Sequence, residues 1–375
     1  MTAELIQLSK RPQPGENLAG ALVDQPYSPP AGEQHFPSSD STQAGGESVR
    51  FAWLELTARC QEECGHCYAE SGPTGTHGSM TTDDWGRAID QLAERGTNMV
   101  QFIGGEPTLH PELIPLIGHV LTRGMNVEVY SNLVHVTPDH WEAFQQPGVS
   151  LATSYYSPDP SKHREITRSN TLSPIRRNIR RAGELEIPLR VGLIGVEAGQ
   201  DIEGAIADLQ SLGVDRGRIG VDYLRQVGRG VRDAVTPETV SQLCGNCADG
   251  VVAIMPDGRV QPCVFSRQSD FTIGNVREAS LDTILDSRRF ADVRGLLREE
   301  FYGSPEDGEE GIQNCTPDCT PKCTPSCDPS CSPRQGTCVP DCQPTRNPCV
   351  PDASQPCRPA DCTPTCAPPH CRPEK

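Results

Sequence analysis

Cys60, Cys64 and Cys67 stand in the run Cys60-Gln61-Glu62-Glu63-Cys64-Gly65-His66-Cys67-Tyr68-Ala69, at the spacing C-x3-C-x2-C. Thiolates are the ligands that iron–sulfur clusters take, and three set this closely can hold three corners of one [4Fe-4S] cube from a single loop. The fourth iron then stays open to an outside ligand, and chemistry can begin there. A four-thiol set would point instead to electron transfer alone. His66 lies between two of the thiols and reads as a loop side chain, because three sulfurs already fill the required places.

Such a loop needs a scaffold. From Phe51 onward, short apolar runs alternate with amphipathic stretches, the texture of repeated β-α units and a parallel sheet. Strands are predicted at 51–56, 99–103, 127–130, 149–155, 189–196 and 219–224. Helices are predicted at 81–95, 113–123, 175–185 and 202–212, the first capped by Thr81 or Thr82 with Asp83 and Asp84 in its opening turn. Six such units fit an α/β fold, a partial (β/α)6 TIM-like barrel. In parallel α/β folds the site forms at the carboxyl ends of the strands. The cysteine loop follows the first strand and Gly104-Gly105-Glu106-Pro107 follows the second, so both open onto one face.

With C-x3-C-x2-C followed by an aromatic, Tyr68, and Gly104-Gly105-Glu106-Pro107 one strand later, the chain resembles the radical S-adenosylmethionine (SAM) enzymes. That resemblance implies that Cys60, Cys64 and Cys67 bind a [4Fe-4S] cluster whose open iron is chelated by the amino and carboxyl groups of SAM. One electron then cleaves SAM to a 5′-deoxyadenosyl radical that abstracts a substrate hydrogen; the cofactor carries the hard step and the protein positions and shields it. The backbone and carboxylate of the Gly-Gly-Glu-Pro motif are implied to hold the ammonium of SAM, with glycine needed for close approach to the ligand. Ser131 and Asn132 after the third strand, and Ser154 on the fourth, lie where relatives contact the ribose or methionine part, although turn polarity alone explains them equally well. Arg168 resembles the arginine that follows the fourth strand, with Arg164 a rival. Gly192-Leu193-Ile194-Gly195-Val196-Glu197 is similar to an adenine-side pattern of the family but is shorter in spacing.

A second thiol group, Cys244, Cys247 and Cys263, is arranged as C-x2-C, ten residues, Gly258, four residues, Cys. This resembles the opening of the SPASM or twitch extension, in which a hairpin turning at Pro-Asp-Gly holds an auxiliary cluster. Pro256-Asp257-Gly258 suits a tight reversal between strands at 251–254 and 259–261, and Gly274-Asn275-Val276 and a helix at 281–297 follow. A closed cluster needs a fourth ligand. The C-x2-C-x5-C-x3-C continuation of SPASM is absent; Cys315, Cys319, Cys323, Cys327 and Cys331 instead repeat at C-x3-C, followed by Cys338, Cys342, Cys349, Cys357, Cys362, Cys366 and Cys371. A zinc ribbon lacking one ligand is the alternative for Cys244, Cys247 and Cys263. Cys244 could also be a thiol that returns a hydrogen atom to a substrate radical, which makes it the candidate radical quencher.

The 375 residues include 35 Pro, 35 Gly and only 5% aromatics, so part of the chain is not packed core. The expected organisation is a disordered arm at 1–48, the barrel at 49–235, a SPASM/twitch-like auxiliary cluster domain at 236–312, and a disordered Cys/Pro-rich low-complexity tail at 313–375, where proline forbids helix and central strand. One or two early tail cysteines could complete the auxiliary cluster. A net charge of −17 argues against nucleic-acid binding, which needs a basic footprint. No run of about 18 apolar residues is present to span a bilayer, and the amino terminus lacks the pattern of a signal peptide. A cytoplasmic protein is therefore expected, in a compartment that favours metal chemistry over disulfides.

Hydrogen-atom abstraction follows from the resemblance; the substrate does not. The leading expectation is a maturase that crosslinks or epimerises a ribosomally made peptide, reduced by an electron donor such as flavodoxin or ferredoxin. The polar arm is too short for a winged helix, so a separate leader-peptide-binding protein would be needed. The alternative is a dehydrogenase, epimerase or decarboxylase acting on a small molecule, a sugar, aminocyclitol or nucleoside, in a concave pocket. A non-enzymatic metal-storage role for the tail would predict that deletion beyond about residue 310 abolishes all iron binding. Tyr155, Tyr156, Asp159 and Tyr223 lie on or just after strands four and six, where substrate could sit.

Overall fold

The computed structural model describes residues 49–197, 199–232, 242–243, 247–302, 327–331 and 338–342. The arm, Cys244 and most of the Cys/Pro tail lie outside them. The chain divides into two compact units, one holding the described residues up to Leu297 and the other those from Arg298 onward.

In the first unit, β1 (Phe51–Glu55), β2 (Met99–Ile103), β3 (Asn126–Tyr130), β4 (Val149–Tyr155), β5 (Leu189–Gly195) and β6 (Ile219–Tyr223) pair in sequential order, all parallel. The helices between them are α1 (Thr82–Glu94), α2 (Leu113–Thr122), α3 (Pro138–Phe144), α4 (Pro160–Thr167), α5 (Leu172–Glu184) and α6 (Ile202–Ser211). This is the α/β partial barrel expected from the sequence, an open sheet with β6 at one edge.

The period-two alternation of the strands divides the sheet into two chemically different faces. Leu54, Phe102, Val129, Leu151 and Leu193 share one face and are fully buried, as are Trp85, Ile89 and Leu92 of α1 and Leu113, Leu116 and Ile117 of α2. The other face carries Trp53, Gln101, Glu128 and Arg190. Arg190 clamps Glu128 with Nε to Oε2 at 2.7 Å and its second nitrogen to Oε1 at 2.6 Å, and Gln101 donates to the same carboxylate. A polar layer so deep in a sheet is tolerated only because each member has a partner. Toward the carboxyl ends of the strands, Arg190 lies over the ring of Tyr130, 5.4 Å from its centroid.

Beyond the six units, β7 (Val251–Ile254) runs parallel to β1 on its free side, β8 (Arg259–Gln261) returns antiparallel, and β9 (Gly274–Asn275) completes a nine-stranded sheet. The hairpin expected to be a separate extension thus continues the barrel sheet. Gly258 has φ +86 in its turn, a backbone that side-chain-bearing residues rarely adopt. The single helix expected at 281–297 is two, α7 (Leu281–Leu285) and α8 (Arg288–Tyr302). Ser287 breaks it, because its hydroxyl accepts from Phe290 N at 3.1 Å and so caps a new helix. Similarly, α5 begins before the expected Ile175, since Pro174 falls in a first turn whose N–H groups need no helical partner.

The second unit contains β10 (Cys327–Cys331) and β11 (Cys338–Cys342), paired antiparallel with Cys327 opposite Cys342 and Cys331 opposite Cys338. Tail strands were not expected from the sequence. Two strands alone are both edges, so Pro329 and Pro340 interrupt no central ladder.

Candidate active site

The chain leaving β1 forms the cysteine loop, and its backbone is tied down from several sides. Ala58 N donates to Thr76 O and Cys60 N to Gly72 O; Glu63 N and Gly65 N reach the carbonyls of Thr167 and Ile166 at the end of α4. Cys60 is buried, while Cys64 and Cys67 are half-buried; all three are free thiols. Burial, then the negative Glu106, Glu62 and Cys67, push the Cys60 thiol up to about 12, against a backbone hydrogen bond from Glu62. Burial likewise raises Cys64, helped by Glu62 and by the other two thiols and opposed by the positive Arg229. Burial therefore disfavours the thiolate form at Cys60 and Cys64, and a cation bound beside them would favour it. Among the described residues no three His, Cys, Asp or Glu side chains stand close enough to hold a single metal ion. The donor chemistry, three sulfurs on one loop, fits a cluster with iron at separate corners.

The Gly104-Gly105-Glu106-Pro107 turn lies directly against this loop. Gly105 N donates to Thr57 O at 2.6 Å and Glu106 N to Arg59 O at 2.9 Å. A Cβ on Gly104 would sit 2.5 Å from Thr57 O, and one on Gly105 2.3 Å from Arg59 O. The two glycines thus let the turn pack directly on the backbone of the cysteine loop. The Glu106 carboxylate is anchored by protein donors on both of its oxygens. It is fully buried and accepts from Thr108 N, Thr108 Oγ1 and Ser131 Oγ on Oε1, and from Asn132 N on Oε2. Desolvation still holds its carboxyl above the ordinary range, against these hydrogen bonds. Through these donors Glu106 joins the loops after β2 and β3, and Oε2, with a single donor, keeps acceptor capacity for a further partner. Pro107 opens a short 3-10 turn, Pro107–Leu109, where a missing N–H is harmless.

Asn132 carries that connection to the cluster loop: its side-chain nitrogen lies 3.6 Å from Cys60 Sγ, and its side-chain oxygen accepts from Gln61 Nε2 at 3.0 Å. Ser154 reaches Tyr130 OH at 3.1 Å and lies on the polar face of the sheet, beside Gly192. Arg168 ends α4 in left-handed conformation, φ +57, with its guanidinium about 3.7 Å from where a Cβ on Gly65 would lie. Arg164 makes no hydrogen bond to the cysteine loop among the described contacts. His66 meets Tyr156 OH at 3.1 Å, and burial, then Arg232 and Arg229, push it down to about 4.

Of the candidate substrate groups, Tyr155 donates to Asp208 Oδ2 at 2.6 Å on the helix-covered side of the sheet, and Asp159 caps α4 through Ser161 N and Lys162 N. Tyr156 touches the cysteine loop through His66, and Tyr223 is 43% exposed at the sheet edge.

Tyr68 is half-buried, its ring edge-on to Phe265 with centroids 4.9 Å apart and Arg267 above it at 5.7 Å. Arg267 in turn clamps Glu55 of β1 at 2.7 and 3.1 Å. Phe265 and Arg267 directly follow Cys263, so the two cysteine regions meet at this aromatic contact. Cys247 and Cys263 are both buried, and Ala248 N donates to Pro262 O at 3.4 Å, which brings them to the same end of the β7–β8 hairpin. Sequence reading missed Glu62, whose buried carboxylate, raised to about 7 by desolvation, accepts from Thr171 Oγ1 within the cysteine loop's packing. It also missed the segment 225–232. A Glu between two ligating cysteines was visible; its partner from α5's cap was not.

The Radical SAM superfamily model matches residues 54–209. Residues 54–209 are thus a radical SAM domain. A second model, SPASM, an iron–sulfur cluster-binding domain, matches residues 244–324 and places the chain in the SPASM/twitch subgroup; its span takes in Cys244, Cys247, Cys263, Cys315, Cys319 and Cys323. A [4Fe-4S] cluster, an auxiliary cluster and SAM are the cofactors these domains imply. The PqqA peptide cyclase of Streptomyces rochei is 27% identical over 193 residues, 51% of this chain and 52% of that protein. The antilisterial bacteriocin subtilosin biosynthesis protein AlbA of Bacillus subtilis is 23% identical over 270 residues, 63% of this chain and 59% of that protein. The chain spans about half the length of the curated relatives it matches. Streptococcus suis SuiB, solved bound to S-adenosylmethionine and also bound to its precursor peptide SuiA, shares the fold; the first superposes with a TM-score of 0.56 at 14% identity, covering 66% of this chain and 68% of that one. No helix among the described residues is long and apolar enough to cross a membrane.

Proposed function

We propose that this chain is a radical SAM enzyme that modifies a ribosomally made peptide by crosslinking or epimerisation. The observation that carries the reading is the loop of three free thiols, Cys60, Cys64 and Cys67, locked by backbone hydrogen bonds to the Gly104–Glu106 turn. The peptide substrate is supported by the similarity to PqqA peptide cyclase, AlbA and SuiB.

In this reading Cys60, Cys64 and Cys67 hold the cluster that, when bound, supplies the electron for reductive cleavage of SAM to a 5′-deoxyadenosyl radical, which abstracts a substrate hydrogen. The protein's part is to position and exclude water. Gly104, Gly105, Glu106 and Pro107 form the turn that would hold SAM, and Glu106 also fixes that turn to Ser131 and Asn132. Asn132 orients Cys60; Tyr68 closes the cluster off toward Phe265. Ser154 and Arg168 border the cofactor's remaining surface. Cys244, Cys247 and Cys263 hold the auxiliary cluster, with Cys244 also the candidate quencher.

The domains run as the sequence suggests, 1–48, 49–235, 236–312 and 313–375, with the cysteine-rich tail as an appendage. The protein works in the cytoplasm, takes its electron from a donor such as flavodoxin or ferredoxin, and receives its peptide with a separate leader-peptide-binding protein.

The test is anaerobic reconstitution of the full chain, iron counting, and assay of SAM cleavage to 5′-deoxyadenosine in the parent, Cys60→Ala and Cys263→Ala. Cleavage should vanish in the first variant and survive in part in the second. Co-expression with short peptides encoded beside the gene should then give a product with altered mass or stereochemistry. A parent that holds an intact cluster yet makes no 5′-deoxyadenosine rejects the reading.

A further inference from the structure

The segment after β6 crosses over the cysteine loop and grips it. Arg229 donates from its backbone N to Cys67 O at 3.0 Å, from Nε to Cys64 O at 2.9 Å, and from a terminal nitrogen to Ser71 O at 2.5 Å. Arg232, three residues on, donates to Gly65 O at 3.2 Å. Four carbonyls of one loop are thus held by two arginines from a distant part of the chain. The approach is so close that only glycine fits beside Arg229. Gly228 has φ +56, and a Cβ there would lie 2.4 Å from Tyr68 O; a Cβ on Gly230 would lie 2.3 Å from Arg225 O.

We infer that Arg229 is a positioning residue for the cluster: its fork fixes the carbonyls of Cys64 and Ser71 while its backbone N–H holds that of Cys67, and its charge would favour the cluster's reduced, more negative state. This deepens the proposed function and rests on it. Arg suits the task because its planar fork presents several donors in fixed directions and never loses its charge. Hydrogen bonding and net charge around a cluster's ligands are among the factors that set its potential, and groups that orient ligands are worth about 10- to 100-fold in metal affinity.

The experiment compares reconstituted full-length parent, Arg229→Gln and Arg229→Lys in two readouts independent of turnover: the rate of iron loss to a chelator, and the midpoint potential of the cluster followed by electron paramagnetic resonance. In Arg229→Gln, iron loss should be about tenfold faster and the midpoint should move to a more negative potential. Arg229→Lys keeps the charge but not the fork, so its midpoint should stay with the parent while its iron loss quickens. An unchanged midpoint in Arg229→Gln overturns the inference, because a purely structural role would not move it. If Arg229→Gln does not fold by circular dichroism, Arg229→Lys decides: iron loss at the parent's rate overturns the inference. A parent that assembles no reducible cluster rejects the proposed function instead.

Discussion

The backbone N–H of Asn132 donates to Glu106 Oε2 at 2.7 Å, while the side chain of the same asparagine lies 3.6 Å from Cys60 Sγ. One residue after β3 thus transmits the position of the turn after β2 to the thiol after β1. Glu106→Gln tests this link. The amide can offer its oxygen to the three donors on one side only by turning its NH2 toward the Asn132 N–H, a donor against a donor. Leaving a buried N–H unsatisfied costs about 1–3 kcal/mol. Urea unfolding should show a loss of that size, and the variant should bind SAM more weakly once reconstituted.

Gly105 is held by sterics rather than by a turn conformation. Its Cβ would meet Arg59 O at 2.3 Å and Ser71 Cβ at 2.9 Å, so Gly105→Ala must push the cysteine loop aside. Overpacking of this kind costs about 1–3 kcal/mol, and iron uptake should fall with it. Gly118→Ala is the control: it lies within α2 with nothing within 4 Å of a new Cβ. That substitution should stabilise the protein by about 0.5–1 kcal/mol, the gain expected of alanine over glycine in a helix. Thermal unfolding of both variants shows the opposite signs.

Much of this site is legible in the sequence because it is local. The C-x3-C-x2-C spacing, the strand before it and Gly104-Gly105-Glu106-Pro107 after the next strand each sit within ten residues of the element that positions them. Thr81 and Asp84 announce the start of α1, and the structure forms a reciprocal capping box there. What escapes sequence reading depends on residues far apart. Arg229 reaches Cys64 across 165 positions, and Arg267 reaches Glu55 across 212; no period or motif encodes such a meeting. The donors Ser131 and Asn132 that anchor Glu106 follow another strand, so no local pattern announces them. The pairing of β7 with β1 depends on the free edge of a sheet, which a linear pattern does not display.

Arg267 and Glu55 form an ion pair beside Tyr68, with Glu55 1% exposed. Removing one partner of such a pair strands a buried charge, at a cost of about 3–5 kcal/mol; the partial exposure of Arg267 places this pair toward the lower end. Arg267→Met should therefore destabilise the fold by about 3 kcal/mol. Arg267→Met combined with Glu55→Gln should lose much less than the sum of the single changes, because no unpaired charge remains. A double-mutant cycle in urea reads this directly; additive losses would show that the pair is not coupled.

His163 is 1% exposed, and its Nε2 lies 2.9 Å from Thr171 Oγ1. The Thr171 hydroxyl gives its only hydrogen to Glu62, so it accepts from the histidine, which carries a proton on Nε2. Its Nδ1 is buried without a partner, and the ring of Tyr156 packs at 6.2 Å. Burial pushes the imidazole down to about 4 from an ordinary 6.5. Between those values the unfolded chain binds a proton that the folded chain refuses. Stability from this group is complete above pH about 6.5 and is lost as pH falls toward 4, by at most about 3 kcal/mol. His163→Gln keeps a donor to Thr171 but cannot titrate. Unfolding free energy measured from pH 7 to pH 4 should fall less steeply in His163→Gln than in the parent; parallel curves would show that the histidine is not the titrating group.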